Sequence, residues 1–340
     1  MLTPLLKPLF LGSALIGLTA WLPMASLHAQ QPRVTARPML HLNTVNLDQS
    51  LAFYRDVLGM EVFNSPKWAD GKNLSGIADS KLRTAQLRVA GGDFQMEIIE
   101  WSGAKLNPQH LHIQDPGEVM LAFSIRDFNQ KLEATKKLGL KVIAKDGEIE
   151  TTGNLPAVMV ADPTGFIVEL NDVDHAKKPV ETWWSGPIAG VGIFITAEDL
   201  AKTVNFYNHV FGFAMKEPAA AQPATARIKM LFNQPRFTTF RTARGTFPGT
   251  SFPGITFQEF GGVDRKAAHH GVVDPGGPIL PLTVTDFAAA IEDVKANGGI
   301  IGQGATSEAL APDARASWIR DPNGVLLRLG MPAPVRASSN

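Results

Sequence analysis

Phe53-Tyr54-Arg55-Asp56-Val57-Leu58-Gly59 returns 153 residues later as Phe206-Tyr207-Asn208-His209-Val210-Phe211-Gly212. Asp162-Pro163-Thr164-Gly165 returns 159 residues later as Asp321-Pro322-Asn323-Gly324, and Asp115-Pro116-Gly117 returns at the same 159-residue spacing as Asp274-Pro275-Gly276. One unit has therefore been duplicated, with six net residues added to the second copy between the first mark and the other two.

Each copy divides again into two halves of like order. Leu40 to Val45 alternates as a strand. A helix follows, capped by Asp48 or a neighbour, with Leu51, Tyr54, Val57 and Leu58 on one face, and Gly59 closes it. Met60–Phe63, Thr84–Val89 and Phe94–Ile99 read as three further strands, with Gly91-Gly92 at the last hairpin. The second half repeats this order. Val119 to Ile125 is a strand, and Asp127 caps a helix closed by Gly139. Lys141–Ile143 is a strand, and Ala157–Val160 and Phe166–Leu170 form a hairpin across Asp162-Pro163-Thr164-Gly165.

The chain has 340 residues, 44% of them apolar, so two ordinary domains with real cores are within reach. Module 1 is placed at residues 37–173 and module 2 at residues 187–331. A polar linker at residues 174–186 carries Trp183 and Trp184, and a disordered tail is expected at residues 332–340. Lys plus Arg and Asp plus Glu both number 32, with no long run of either sign, which argues against a nucleic-acid partner. Residues 1–29 hold one charge, Lys7, before an apolar run. They read as a secretory signal cleaved near Ala29, implying a periplasmic or secreted protein with no membrane contact after its removal. An uncleaved anchor is the competing reading. There is no cysteine, so no disulfide framework is available.

Leu47 to Gly59 and Asp162 to Leu170, with their counterparts Asp199 to Gly212 and Asp321 to Leu329, resemble the marks of the vicinal oxygen chelate superfamily. That group includes glyoxalases, extradiol dioxygenases and bleomycin-resistance proteins. The resemblance spans nearly the whole chain after residue 36. It implies an α+β fold of four strand–helix–three-strand units, paired into two modules. Each module would be a curved, eight-stranded mixed sheet around a cleft. Fold marks of this kind leave the reaction open.

The resemblance also implies a divalent metal in a cleft, held by histidines on the first strands and glutamates on the last strands of the two halves. The first-strand positions here are Met39, Met120, Gly192 and Ile279, none of them a histidine. On the last strands, Glu97 and Glu169 persist in module 1. Arg328 stands where the acid belongs in module 2, with Gln258 or Glu259 as the counterpart of Glu97. Arginine does not ligate metal, so no metal is expected in module 2; there Arg328 would anchor a substrate carboxylate or pair with Glu259.

In module 1, His41 lies two residues beyond Met39, on the same strand face. His41, Glu97 and Glu169 are therefore either the ligands of a shifted metal site, with His41 and Glu169 catalytic, or hydrogen-bonded walls of a metal-free cleft. His110 and His269 occupy equivalent repeat positions, five residues before Asp115 and Asp274. They read either as substrate contacts at a cleft mouth or as exposed loop residues. Trp68, Trp101, Trp183 and Trp184 either stack on a planar ligand or pack internally. Two functions stay open: an enzyme of lyase or dioxygenase type acting on a small oxygenated molecule in module 1, and a metal-free binding protein for a drug or metabolite. A purely structural role for the paired modules is a third.

Overall fold

A computed structural model describes residues 34, 39–108, 112–180, 182–248, 250, 254–302 and 315–331. Residues 1–29, read above as a signal, residues 332–340 and His110 lie outside the described residues. No helix among the described residues is long and apolar enough to cross a membrane.

Unit 1 comprises β1 (Met39–Thr44), α1 (Leu47–Leu51, continuing as a π-helical turn over Ala52–Val57), β2 (Glu61–Val62), β3 (Ala69–Asp70), α2 (Lys72–Ser75), β4 (Lys81–Arg88) and β5 (Gln95–Ser102). Unit 2 comprises β6 (Val119–Ile125), α3 (Phe128–Lys137), β7 (Ala157–Ala161) and β8 (Ile167–Asp172). Unit 3 holds β9 (Ile188–Thr196), α4 (Leu200–Phe211), β10 (Gln222–Pro223), α5 (Ala226–Leu231), β11 (Thr239–Gly245) and β12 (Ile255–Gly261). Unit 4 holds β13 (Pro278–Thr283), α6 (Phe287–Ala296), β14 (Ile300–Ile301), β15 (Ala316–Arg320) and β16 (Leu326–Gly330). Lys141–Ile143, expected as a strand, makes only a single bridge, Val142 to Val160.

Helix starts follow local chemistry. Asn46, rather than Asp48, caps α1, its side chain accepting from the Gln49 amide at 3.1 Å. Asp199 and Asp286 cap α4 and α6 in the same way. Asp127 sits at the cap position of α3 with φ 55°, but its side chain accepts no capping bond. Gly59 and Gly212 end their helices at φ 86° and 72°, a conformation that a β-carbon disfavours.

The duplicated motifs meet in space. The Tyr54 hydroxyl donates to Asp162 Oδ2 at 2.9 Å, and Tyr207 donates to Asp321 Oδ2 at 3.2 Å. All four residues are buried. Asp162 Oδ1 also accepts from the Thr164 amide and hydroxyl and from the Phe166 amide, so the hairpin turn is built around the carboxylate. Burial pushes the Asp321 carboxyl up to about 6, against the hydrogen bonds it accepts. Each bond ties the first helix of an odd-numbered unit to the last hairpin of the next unit. Apolar residues of four helices, α1, α3, α4 and α6, and of both sheets join in one core.

The sheets cut across the chain halves. Strand order in one is β14-β15-β16-β13-β1-β5-β4-β2, with β3 also on β4, nine strands in all. The other is seven-stranded, β10-β11-β12-β9-β6-β8-β7. Unit 1 thus shares a sheet with unit 4, and unit 2 with unit 3. The closures are antiparallel: β1 on β13, with His41 opposite Ile279, and β6 on β9, with Ala122 opposite Gly192. The two tryptophans of the linker are docked. The Trp183 and Trp184 amides both donate to Ala189 O, and the Trp184 ring packs so close to Gly92 that a β-carbon there would sit 2.7 Å from it.

A repeated ion-pair device locates the six-residue insertion. Glu100 accepts from the Leu47 amide and from Arg83, and Glu259 accepts from the Leu200 amide and from Arg241. The spacing between copies grows from 153 at Leu47/Leu200 to 158 at Arg83/Arg241 and 159 at Glu100/Glu259. Most of the insertion therefore falls between α4 and β11, the segment that carries α5.

Replacing Tyr54 by Phe removes one buried hydrogen bond to a carboxylate and leaves the other three bonds of Asp162 in place. The expected loss is about 1.5–3 kcal/mol of folding stability, read from denaturant unfolding. A change within about 0.3 kcal/mol would show that the bond does not stabilise the motif.

Candidate functional site

The crossed pairing redistributes the candidate residues. His41 and Glu97 are neighbours on β1 and β5 of the nine-stranded sheet, with His41 Nε2 3.2 Å from Glu97 Oε2 and 3.3 Å from Met39 Sδ. Glu169 is on β8 of the seven-stranded sheet, opposite Ala122 of β6. The three expected ligands therefore do not converge, because β8 pairs into the other sheet. Arg328, assigned to a separate cleft, instead shares the sheet of His41. Burial lowers the His41 pKa, and Arg328 lowers it further against the attraction of Glu97. Nor does Arg328 pair with Glu259: its guanidinium lies 5.7 Å from the Trp318 ring centre, while Glu259 is held by Arg241 at 2.8 Å.

The concave face of the nine-stranded sheet is largely filled. Trp318 packs with Val272, Ile279 and Leu326, and its indole donates to Leu74 O of α2 at 3.2 Å. Trp101 packs with Ile99 and Val273 and donates to Asn43 Oδ1 at 2.8 Å. A hollow of about 90 Å³ remains beside Glu97, lined also by Met39, Phe63 and Gln86.

The seven-stranded sheet keeps its cleft open. A cavity of about 470 Å³ is lined by Glu169, Asn171, Ser124, Trp183, Arg244 and Thr256, among others. A second hollow of about 200 Å³ continues it beneath α5, where Met120, Ile228, Leu231, Phe232 and Phe240 form an apolar wall. Glu169, Phe194, Arg244 and Thr256 line both, so the two are lobes around one carboxylate. Thr242 and Arg244 alternate inward along β11, while Arg241 faces the helices and bonds Glu259.

Helix α5 is anchored over the inner lobe by Arg227. Its guanidinium bonds the buried Glu150 carboxylate and, at 3.1 Å, Leu155 O. Glu150 also accepts from the Thr152 and Gly153 amides, so this ion pair is fully supported by hydrogen bonds.

Glu169 has no cation paired to it among the described residues. Burial raises its carboxyl to about 7, with a hydrogen bond from Asn171 opposing the shift. Arg244 is exposed at the cavity wall and, among the described residues, forms no ion pair. The repeat places Thr256 at the position of Glu97, rather than Gln258 or Glu259, since Glu259 matches Glu100. The position of His41 corresponds to Phe194, which faces Met120 across the closure.

A divalent metal does not fit these donor sets. Glu169 is surrounded at the corresponding positions by Ala122, Met120, Gly192, Phe194 and Thr256. His41 and Glu97 are completed only by Ile279 and Arg328. No group of three or more His, Cys, Asp or Glu among the described residues is arranged to hold a metal ion.

His269 is exposed beside Gly324, away from both cavities around Glu169. His270, the next residue, is buried, 3.4 Å from Glu118. Of the tryptophans, Trp183 lines the outer lobe, Trp101 is core, and Trp68 is a surface ring beneath Arg83. Glu169 was legible in the sequence. Arg244 was not, since nothing in the linear pattern says which β11 residues face the cleft.

The sequence matches the family model described as the Glyoxalase/Bleomycin resistance protein/Dioxygenase superfamily twice, over residues 34–170 and 189–329. Among solved structures, glyoxalase I from Zea mays is similar at 15% identity, covering 87% of this chain and 92% of that one with a TM-score of 0.53. A putative dioxygenase from Bacillus subtilis is similar at 13% identity, covering 89% of this chain and 87% of that one with a TM-score of 0.47. At such identities the maize likeness shows the fold alone. A search of curated proteins gives no match.

Replacing Glu169 by Gln gives a signed pH effect. The native carboxyl, near 7, binds its proton more tightly than the unfolded one, whose ordinary value is 4.5. Stability from this group is therefore greatest at low pH, falls as pH rises from about 4.5 to about 7, and stays reduced above that. The Gln variant is expected to melt higher than the parent at pH ~8 and to match it at pH ~4.5. A pH-independent difference would contradict the raised carboxyl of Glu169.

Proposed function

Since the chain belongs to the Glyoxalase/Bleomycin resistance protein/Dioxygenase superfamily, we propose that it binds a small oxygenated organic molecule in the cleft of the seven-stranded sheet, without a family-type metal. The observation that carries this is the contrast between the two concave faces. One retains about 90 Å³ beside Glu97, the other about 470 Å³ around Glu169 with a further 200 Å³ behind it. Small-molecule sites are concave, mostly apolar hollows with a few convergent polar groups, and the Glu169 cleft has that composition. Asn171, Thr256 and Arg244 supply hydrogen bonds, and Trp183 and Phe194 supply flat apolar surface.

A second reading has one specific support. A cleft carboxyl held near 7 suits general acid–base work at neutral pH, so Glu169 would move a proton on the bound molecule. The two readings share one site and differ in whether the ligand leaves changed. We also propose export, on the apolar run after Lys7, with cleavage near Ala29. N-terminal sequencing of the exported protein reads that directly; an intact Met1 on mature protein would contradict it.

The binding proposal is tested by screening small oxygenated fragments against the purified protein by thermal shift, with Ala122→Phe and His41→Ala as comparisons. Ala122 lines the outer lobe, so a phenyl group there fills it. Ligands are expected to lose their shift on Ala122→Phe and keep it on His41→Ala. The reverse pattern would move the site to the nine-stranded sheet and overturn the proposal.

A further inference from the structure

The open cleft carries two opposite charges that, among the described residues, have no ion-pair partners: Glu169 on β8 and Arg244 on β11, on opposite walls of the curved sheet. The third charge at the cavity, Arg227, is already neutralised by Glu150. Both charges also line the inner lobe, whose apolar side is Met120, Phe194, Ile228, Leu231, Phe232 and Phe240 and whose polar side adds Arg227, Thr242, Thr256 and Gln258. Three of the six apolar residues come from α5 and the residue after it, in the segment lengthened relative to unit 1. α5 is the counterpart of α2 in unit 1, six residues long against four, so what is particular to unit 3 is the greater length of the segment over the lobe.

From this arrangement we propose, resting on the binding reading above, that the ligand is a zwitterion with an apolar side chain, of the α-amino acid class. Its ammonium would meet Glu169 and its carboxylate Arg244, and its side chain would enter the lobe beneath α5. Charge complementarity sets the class. A mono-anion would pair with Arg244 and leave Glu169 to take up a proton, and a mono-cation would pair with Glu169 alone; a zwitterion makes a charge-assisted hydrogen bond to each. The lobe sets the side chain. Its volume is about 200 Å³, and an apolar cavity of about 150 Å³ is enough to hold benzene. A single ring edged by Phe194, Phe232 and Phe240 therefore fits.

Four probes that share one phenyl ring and differ only in charge test the proposal: phenylalanine, phenethylamine, hydrocinnamate and hydrocinnamyl alcohol. Binding of each to the purified protein is measured by titration calorimetry. Phenylalanine is expected to bind at least ~10-fold tighter than any analogue lacking one charge, the scale of a lost charge-assisted hydrogen bond. Glu169→Gln should erase the preference over hydrocinnamate, and Arg244→Gln the preference over phenethylamine. Ile228→Trp, which fills the lobe from α5, should abolish phenylalanine binding, with melting curves confirming that each variant is folded.

Hydrocinnamyl alcohol or hydrocinnamate binding as tightly as phenylalanine would overturn the zwitterion. If that binding is lost on Ala122→Phe, the cleft itself stands. Absence of binding by all four probes would also overturn the zwitterion, leaving the cleft to be judged by the fragment screen. Phenylalanine binding unaffected by Ala122→Phe, Glu169→Gln and Arg244→Gln would sink both readings together.

Discussion

Two antiparallel closures, β1 on β13 and β6 on β9, determine everything else in this molecule. Each strand pair satisfies backbone groups that would otherwise lie unpaired at the centre of a sheet, at the edge where one βαβββ unit ends. Because the first unit closes with the fourth and the second with the third, neither concave face belongs to one half of the chain. Residues of one chain half, such as Glu97 and Glu169, are separated. Residues far apart in sequence, such as His41 and Arg328, share a surface. The Tyr54–Asp162 and Tyr207–Asp321 bonds run the other way, tying consecutive units through their helices. The chain is thereby knitted twice, by sheets across the halves and by helices within them.

The two clefts have since diverged by side-chain volume. In the nine-stranded sheet, Trp101 and Trp318 each place an indole in the hollow and find an acceptor for the N–H, Asn43 and Leu74 O. A tryptophan that is both packed and hydrogen-bonded does not swing away for a ligand at small cost. In the seven-stranded sheet the corresponding floor is Ala122, Gly192 and Thr256, small residues around a long acid. There α5, the longer counterpart of α2, roofs that space, and the Arg227–Glu150 pair holds the roof down. The histidine that persists, His41, thus sits in the filled cleft, beside Arg328, where its cationic form is disfavoured.

The fold was legible because the marks that define it are backbone and cap chemistry. Gly59 and Gly212 occupy left-handed turns, the Asp of each Asp-Pro-x-Gly mark organises a hairpin, and Asp199 and Asp286 cap helices. These are local effects, readable in a window of a few residues. Strand partnership is not local. β1, β6, β9 and β13 are all short, mostly buried apolar runs, and nothing in their alternation says which closes on which. Glu169 could be marked as a wall residue, but its company could not. Arg244 and the apolar face of α5 follow only from the register of β11 on β12 and from the place of the insertion.

The central claim is that the sheets form between units 2 and 3 and between units 1 and 4, and the absence of cysteine from the chain allows a direct measurement. A β-carbon built on Gly190 of β9 lies 3.6 Å from that of Ser124 on β6, within the range that a disulfide spans. In the Ser124→Cys, Gly190→Cys double variant, mild oxidation should close the pair quantitatively. This would be read as loss of free thiol and a disulfide-linked peptide in the digest. Cysteines at His41 and Met120, which pairing of unit 1 with unit 2 would bring face to face, should stay reduced under the same conditions. Closure of the second pair while the first stays reduced would contradict the crossed sheets, and with them the placement of the ligand cleft.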